Sequence, residues 1–170
     1  MLSVMAKVNG KAKGSAFERE VCKVISSILT DKQEDIACWR TAGSGGMATT
    51  RTKKKIKSAF TVIQSGDITQ VLPQGVYPKL DSFFDKYAIE CKSYNTIDFY
   101  PPIETGTLAK FLDITLKLEK DTKKIGLLIV KQNRKRILVV TKENKTNHIM
   151  NFKYNNINFY VYDGIKTFIN

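Results

Sequence analysis

The chain has 170 residues, 42% of them hydrophobic and 26% charged, which is typical of one globular domain and excludes a disordered chain. Twenty-eight Lys and Arg against 16 Asp and Glu give a net charge of +12, which favours a polyanionic partner. The sequence contains no apolar run of about 18 residues, so we predict no membrane span. A single histidine, His148, argues against His-based metal clusters or catalytic triads, and three cysteines without paired spacing predict buried thiols in a cytoplasmic protein.

The chain begins with a short basic lead-in, residues 1–13, which has neither a long apolar core nor a cleavage site. We therefore expect no secretory leader. A helix is predicted from Gly14-Ser15 to about Thr30, because Ser15 is a suitable N-cap and Glu18 stands three residues later, as in a capping box.

Helical periodicity gives this helix one broad apolar face, formed by Phe17, Val21, Val24, Ile25, Ile28 and Leu29. Glu18 falls inside that face, whereas Arg19 and Lys23 fall on the opposite side. Glu18 is thus expected to face the core. It can serve as the capping-box carboxylate, as an inward-facing functional acid, or as both.

A first strand is predicted over residues 36–41, followed by a glycine-rich turn at 42–46. The turn lacks the Gly-Lys-Ser/Thr ending of a P-loop, so we expect no nucleotide cofactor. The following segment is polar and basic, and we treat residues 45–65 as a loop insertion. It is either a solvated loop or an arm along a phosphate backbone, and the net charge favours the arm. Its basic residues include Arg51, Lys53, Lys54 and Lys55.

Two further strands are predicted over 67–71 and 88–94. Because side chains alternate along a strand, Glu90 and Lys92 share one face and Ile89 and Cys91 the other. If the preceding strand brings Asp67 alongside, two carboxylates and an ammonium meet on one patch. Such a patch can hold a hard divalent cation and place a lysine beside the water that the metal activates. The alternative is an ordinary ion pair on a solvated strand.

The remaining pattern predicts a turn with a short helical piece over 77–85, a helix over 107–120, and strands over 125–130 and 137–140. A turn at 133–136 joins the last two strands. A polar stretch and an aromatic strand near 157–162 follow. The order of elements predicts an α/β sandwich around one mixed sheet.

Four stretches in order resemble the motifs of the PD-(D/E)xK nuclease superfamily, and more closely those of archaeal-type Holliday junction resolvases. They are Lys13 to Glu20, Arg40 to Ser44, Gly66-Asp67-Ile68 and Ile89-Glu90-Cys91-Lys92. The resemblance covers roughly residues 13–140. It implies a single nuclease domain, residues 1–170, with a restriction-endonuclease-like mixed β-sheet flanked by helices. The tail, residues 142–170, is then an extension without a counterpart.

The resemblance also implies residue roles. Asp67 and Glu90 would ligate Mg²⁺ or Mn²⁺ with the backbone carbonyl of Cys91, and Lys92 would orient or help deprotonate the attacking water. Glu18 would hold a metal-bound water. Positions matched to DNA contacts or the scissile region are Lys13, Arg19, Arg40 and Ser44.

The activity that the resemblance implies is metal-dependent resolution of four-way DNA junctions, in recombination and repair, by a homodimer. One rival is a restriction-like or repair endonuclease of the same superfamily that cuts duplex or flap DNA. Another is a non-catalytic DNA-binding module with structural carboxylates. Two departures bear on the choice: the segment between Ser44 and Asp67 is long, and Gly66 stands where the superfamily has proline. We expect glycine to serve there, because the turn geometry matters and the ring does not.

Overall fold

A mixed five-stranded sheet forms the centre of the molecule, as seen in a computed structural model that describes residues 10–41, 66–99 and 106–170, with side chains from Lys13 onward. The predicted turn at 42–46 and the basic insertion at 45–65 lie outside these residues. The helices are α1 (Gly10–Leu29), α2 (Pro78–Lys86), α3 (Thr107–Thr122) and α4 (Ile165–Ile169). The strands are β1 (Cys38–Arg40), β2 (Ile68–Gln70), β3 (Tyr87–Tyr94), β4 (Ile125–Gln132), β5 (Ile137–Thr141), β6 (Met150–Tyr154) and β7 (Ile157–Tyr162).

The strand order of the main sheet is β3-β4-β5-β7-β6, with β3 parallel to β4 and the other neighbours antiparallel. Helix α3 forms the crossover between the two parallel strands, as such a connection requires. β1 and β2 form a separate antiparallel ladder. The predicted α/β class, a mixed sheet flanked by helices, is therefore confirmed.

Two apolar cores lie on opposite faces of the sheet. On one face Ile89, Cys91 and Ile129 pack in the same cluster as α1 residues such as Val21 and Ile25. On the other face Leu128 and Val130 pack in a cluster with α3 residues such as Leu108 and Leu112. The alternation predicted for the β3 strand, with Ile89 and Cys91 toward one core, is confirmed.

The first helix begins at Gly10, several residues before the predicted start, so the expected N-cap at Ser15 is wrong. Lys11, Ala12 and Lys13 are good helix formers, and they carry the helix through Gly14. Ser15 therefore lies inside the helix and cannot form a capping box with Glu18. The prediction that Glu18 faces inward is confirmed, since Glu18 is only 8% exposed to solvent.

The C-terminal part contains more regular structure than the sequence patterns predicted. A strand, β6, pairs with β7 through a turn in which Asn155 and Asn156 have φ of 48° and 62°. Both positive values identify a two-residue turn of the type that favours asparagine and glycine. Helix α4 then places Phe168 in the core, where it is 1% exposed.

All three cysteines are free and buried, as predicted. Among the residues that the structure describes, no helix has both the length and the apolar character needed to cross a bilayer.

Candidate active site

Asp67 lies between two strands and bonds to both. Its backbone N–H donates to the carbonyl oxygen of Ile89 at 2.8 Å, and its Oδ2 accepts from the backbone N–H of Cys91 at 2.8 Å. On its other side its carbonyl oxygen accepts from the N–H of Thr41 at 2.9 Å. These bonds fix the carboxylate against the outer edge of β3.

The two bonds to β3 follow the pattern of a parallel ladder. In that pattern a residue facing position j donates to the carbonyl of j−1 and accepts from the N–H of j+1. With Glu90 as position j, Asp67 donates to the carbonyl of Ile89 and accepts from the N–H of Cys91. The acceptor is the Asp67 carboxylate, where a regular strand residue would use its backbone carbonyl. The Cα atoms of Asp67 and Glu90 are therefore about one strand spacing apart, ~4.8 Å. This geometry brings together two carboxylates that are distant in sequence.

Glu90 and Lys92 extend from the same face of β3, as the alternation predicted, and form an ion pair. Glu90 is 8% exposed, whereas the Lys92 side chain is 27% exposed. The ammonium group therefore reaches toward solvent from a buried carboxylate. The predicted grouping of Asp67, Glu90 and Lys92 is present in the structure.

Glu18 approaches from α1 and is held by Arg40, whose Nε donates to Oε2 at 2.8 Å. The position of Arg40 depends on Ser26, a buried residue of α1. The Ser26 hydroxyl accepts the backbone N–H groups of Ala37 and Cys38 at 2.9 and 3.2 Å. Ser26 thereby fastens the start of β1 to the same helix that carries Glu18.

Burial and electrostatic repulsion act strongly on Asp67. Desolvation, followed by the nearby charge of Glu90, raises the pKa of Asp67 to about 7, against the opposing effects of the Cys91 N–H and Lys92. The charge of Glu18 adds to the increase. Burial would lower the pKa of Lys92, but its pairing with Glu90 outweighs burial and raises it. The site thus contains three carboxylates, those of Asp67, Glu90 and Glu18, and two cations, Lys92 and Arg40, so negative charge is in excess.

The donor set fits a hard divalent cation bound by few protein groups. Asp67 and Glu90 repel each other in a desolvated position, and a cation between them would remove that repulsion. No three acidic, His or Cys side chains converge on one point within the described part of the chain. Two carboxylates are sufficient for Mg²⁺, which keeps several waters and takes further ligands from a phosphate substrate.

Comparison with known proteins agrees with this arrangement. A family model described as "Phage putative PDDEXK endonuclease" matches residues 9–169. The chain belongs to this family. No curated protein and no solved structure matches it.

The letters of the family's name match the order of residues at the candidate site, an acid (Asp67) followed by an acid-x-Lys unit (Glu90-Cys91-Lys92), and we interpret these residues as that motif. The match supports the predicted nuclease superfamily. It also extends through the tail from residue 142 onward, the part that the resolvase resemblance left without a counterpart.

The other residues predicted to contact DNA are spread more widely over this PDDEXK chain. Arg19 is exposed on α1. Lys13 lies near the ends of β3 and β4, where its Nζ contacts Asn133 and, at 3.4 Å, Asn95. The predicted contacts outside the described residues are Ser44, Arg51, Lys53, Lys54 and Lys55.

Sequence reasoning passed over Thr41, the residue that follows Arg40. The backbone bond from Thr41 to the Asp67 carbonyl extends the β1–β2 register by one pair. The side chains of Thr41 and Asp67 therefore lie on the same face of this ladder. Thr41 is 4% exposed, and its hydroxyl has no hydrogen-bond partner among the described residues. A buried threonine opposite the motif aspartate becomes recognisable only when the strand register is known.

Proposed function

We propose that this protein is a divalent-metal-dependent DNA endonuclease in which Asp67 and Glu90 hold Mg²⁺ or Mn²⁺. The placement of Asp67 opposite Glu90, with Lys92 beside them at the edge of β3, carries the proposal. A non-catalytic DNA-binding module would have no use for two repelling, desolvated carboxylates, because burying them is costly without a ligand.

Each side chain has a defined task in this proposal. A cation bound here supplies neutralising charge for the phosphodiester and a water of lowered pKa. Asp67 binds through its carboxylate while Cys91 N–H fixes its orientation. N–H and C=O of one strand residue point to the same side, so the Cys91 carbonyl also faces this edge and can act as a ligand.

Lys92 and Glu18 complete the site. The Lys92 ammonium, held by Glu90, orients the attacking water or accepts part of the charge that develops on the phosphate. Glu18 faces the site from α1 with Arg40 as its partner, and can receive a proton from, or hold, a water of the site. Arg40 is also available to a phosphate because its side chain is 29% exposed.

The proposed substrate is DNA, with four-way junctions as the preferred form. The net charge of +12 supports a polyanionic substrate. The order of the motifs around Glu18, Arg40, Asp67 and Glu90 supports the junction, since it resembles that of junction resolvases. A homodimer with two sites on a two-fold axis suits a two-fold symmetric junction, and sedimentation analysis would reveal it.

The test uses the variant Asp67→Asn, which keeps an oxygen for the Cys91 N–H but removes the charge. Wild type and variant are incubated with labelled four-way junction, duplex, flap and single-stranded DNA, in Mg²⁺, in Mn²⁺ and in EDTA. We expect paired, symmetric nicks in the junction with wild type in either metal. The variant should lose cleavage by about a hundredfold or more, because the cation loses one of its two acidic ligands.

Asp121→Asn, a change of the same kind at an exposed position of α3, serves as the matched control and should cleave like wild type. Equal cutting of duplex or flap DNA would keep the endonuclease and discard the junction preference. Tight binding without cleavage in either metal would contradict the proposed activity and favour a binding module.

A further inference from the structure

A cavity of about 210 Å³ lies between α1 and the ends of β3 and β4. Polar and charged groups from all three elements and from the β4–β5 turn line it. They are Lys13, Glu20, Ser93, Lys131, Gln132, Asn133 and Arg134. We name this the phosphate cavity for the reasons that follow.

The lining carries an excess of positive charge. It contains three cations, Lys13, Lys131 and Arg134, and one carboxylate, Glu20, which leaves two positive charges. Lys131 contacts both carboxylate oxygens of Glu20, at 2.7 and 2.6 Å, so these two neutralise each other. Arg134 has no ion-pair or hydrogen-bond partner in the described ranges. Lys13 and Arg134 are therefore the cations left for a ligand.

The wall that carries Arg134 is held in place by a small network of bonds. The Asn133 backbone N–H donates to the Tyr94 carbonyl at 3.1 Å, and its side-chain amide donates to Asn95 Oδ1 at 2.6 Å. Lys13 contacts both asparagines from α1. Arg134 itself has a positive φ of 58°, which the tight turn imposes. The guanidinium thus extends from an anchored turn, and less conformational entropy is lost on binding.

The phosphate cavity adjoins the candidate active site along β3. Ser93, in its wall, leaves the face of β3 opposite to Glu90 and Lys92, on the α1 side from which Glu18 approaches. Along the strand it follows Lys92 directly and is three residues from Glu90. At about 3.3 Å per strand residue this is a separation of about 10 Å. When the axis of a DNA duplex runs along β3, one strand places about three phosphates in that distance, because its rise along the helix axis is about 3.4 Å per phosphate.

We propose that the phosphate cavity binds one backbone phosphate of the DNA, about three nucleotides from the phosphate that is cut. Arg134 supplies two parallel donors, a geometry that matches phosphate oxygens. Lys13 supplies a second charge, and Ser93 and Asn133 supply neutral donors. The inference rests on the proposed function for its DNA substrate. The β4–β5 turn would then determine which phosphate of the DNA strand lies in the active site.

The test measures DNA binding in the Asp67→Asn background and in EDTA, so that cleavage does not interfere with the measurement. Fluorescence anisotropy over a range of salt concentrations compares this parent with the added changes Arg134→Ala and Arg136→Ala. We expect Arg134→Ala to raise Kd about tenfold and to reduce the slope of log Kd against log salt by about one phosphate contact. Arg136 is the matched control, because it stands in the same turn but is already paired with Asp163.

A second measurement locates the contact. Single methylphosphonates, which lack the phosphate charge, are placed one at a time along the DNA. One position should weaken binding by the parent, and the same position should have no effect on the Arg134→Ala form. Wild-type protein then maps the cut, which should lie about three nucleotides away.

Equal losses of DNA affinity in Arg134→Ala and Arg136→Ala would contradict the proposed phosphate contact. So would methylphosphonate effects that add to the effect of Arg134→Ala. Neither result would contradict the proposed nuclease activity. If wild type never cleaves but the position-specific loss persists, the phosphate contact stands and the proposed activity fails. The two proposals are therefore tested separately.

Discussion

Asp67 shows how one residue can place a reactive group within a sheet. Its backbone and its side chain together occupy the ladder positions of a single strand residue beside Glu90. Any rotation of its side chain would break the bond from the Cys91 N–H, so the carboxylate is fixed by the same contacts that hold the chain. Gly66, which precedes Asp67, allows the chain to come this close to β3.

Gly66 has a φ of +94°, and a Cβ added to it would lie 2.8 Å from the Ile89 carbonyl oxygen. This conformation agrees with the expectation that the turn geometry, and not the proline ring, is what this position requires. Proline is restricted to φ near −65°, so it could not adopt the conformation seen here. The glycine is therefore a specific requirement of this chain and not a neutral replacement for proline.

We predict that Gly66→Ala lowers the free energy of unfolding by about 2–4 kcal/mol, combining the cost of a left-handed alanine with the clash against backbone. Cleavage should also fall, since Asp67 must move. Chemical denaturation and a cleavage assay would measure the two effects.

Gly75 provides the control, because its φ is +89° and no atom lies near its added Cβ. Gly75→Ala should cost only about 1–2 kcal/mol and leave cleavage unchanged. Equal losses of stability in the two variants would show that the contact with Ile89 contributes nothing.

At the residue scale, Glu18, Glu90 and Lys92 were predictable because local periodicity alone decides which way a side chain faces. The pairing of Glu18 with Arg40 and the unpartnered hydroxyl of Thr41 were not, because both depend on how β1 sits against α1 and β2. Contacts between elements leave no periodic signal in the sequence.

At the scale of elements, the segment from residue 142 onward is built into the fold by charged and aromatic contacts. Glu143, after β5, accepts from Lys86 at 2.9 Å and from the Tyr87 hydroxyl at 2.5 Å. These bonds tie the segment to the junction of α2 and β3. The backbone carbonyl of Glu143 also accepts from the Tyr162 hydroxyl at 2.6 Å.

The Glu143 contacts predict a pH effect on stability. Burial would raise the pKa of Glu143, but hydrogen bonds from Tyr87 and Lys86 outweigh it and lower the pKa below its usual value. A carboxyl with a depressed folded pKa stabilises the fold above its unfolded pKa, and the contribution is lost as pH falls through the folded pKa. Glu143→Gln should therefore cost about 1–2 kcal/mol at pH 7 and progressively less below about pH 4.

Urea denaturation of both proteins from pH 7 to pH 3 would measure the difference. Asp163→Asn is the control, since the Asp163–Arg136 pair is exposed and should contribute about 0.5 kcal/mol or less. A stability difference for Glu143→Gln that stays constant down to pH 3 would show that its charge is not responsible.

The order of most elements was predictable from the sequence, and the helical piece predicted over 77–85 agrees with α2, Pro78–Lys86. The start of α1 and the strand β6 were not predictable. Helix α1 continues through Gly14 because the helix formers before it and the contacts of Lys13 outweigh the cost of a glycine, about 1 kcal/mol. β6 is short and follows a polar stretch, although its five residues alternate between apolar and polar and pair with β7. The Asn155-Asn156 turn was the signal that could have revealed it.

At the scale of the whole molecule, the fold class follows from pattern and the sheet order does not. Alternation and apolar runs identify β4 and β5 as buried strands, but they contain no information on which strand stands at the edge. β3 is an edge strand of the main sheet, and for that reason its outer side is open to Asp67. The position of the candidate active site is therefore a property of the topology.

Binding of a cation at this edge should stabilise the whole protein. The site holds two mutually repelling carboxylates, and a ligand that binds only the folded state adds RT ln(1 + [L]/Kd) to the free energy of unfolding. Mn²⁺ at ten times its Kd should add about 1.4 kcal/mol. Thermal unfolding with and without Mn²⁺, with EDTA as the reference, would measure the gain.

The variant Asp67→Asn should show no such gain at the same Mn²⁺ concentration, whereas Asp121→Asn should match wild type. Stabilisation of Asp67→Asn by Mn²⁺ to the same extent would place the ion elsewhere on the protein. This readout does not depend on cleavage.

The register pair of Thr41 and Asp67 has a consequence for how such enzymes can diversify. The chain leaves the described fold after Thr41 and returns at Gly66, and the two flanking residues are joined by a backbone bond of 2.9 Å beside the reactive carboxylate. The bonds that hold Asp67 beside Glu90 are thus made by residues that flank 42–65 and by β3. On the proposed function, relatives that differ in residues 42–65 would bind different DNA targets and keep the same active site.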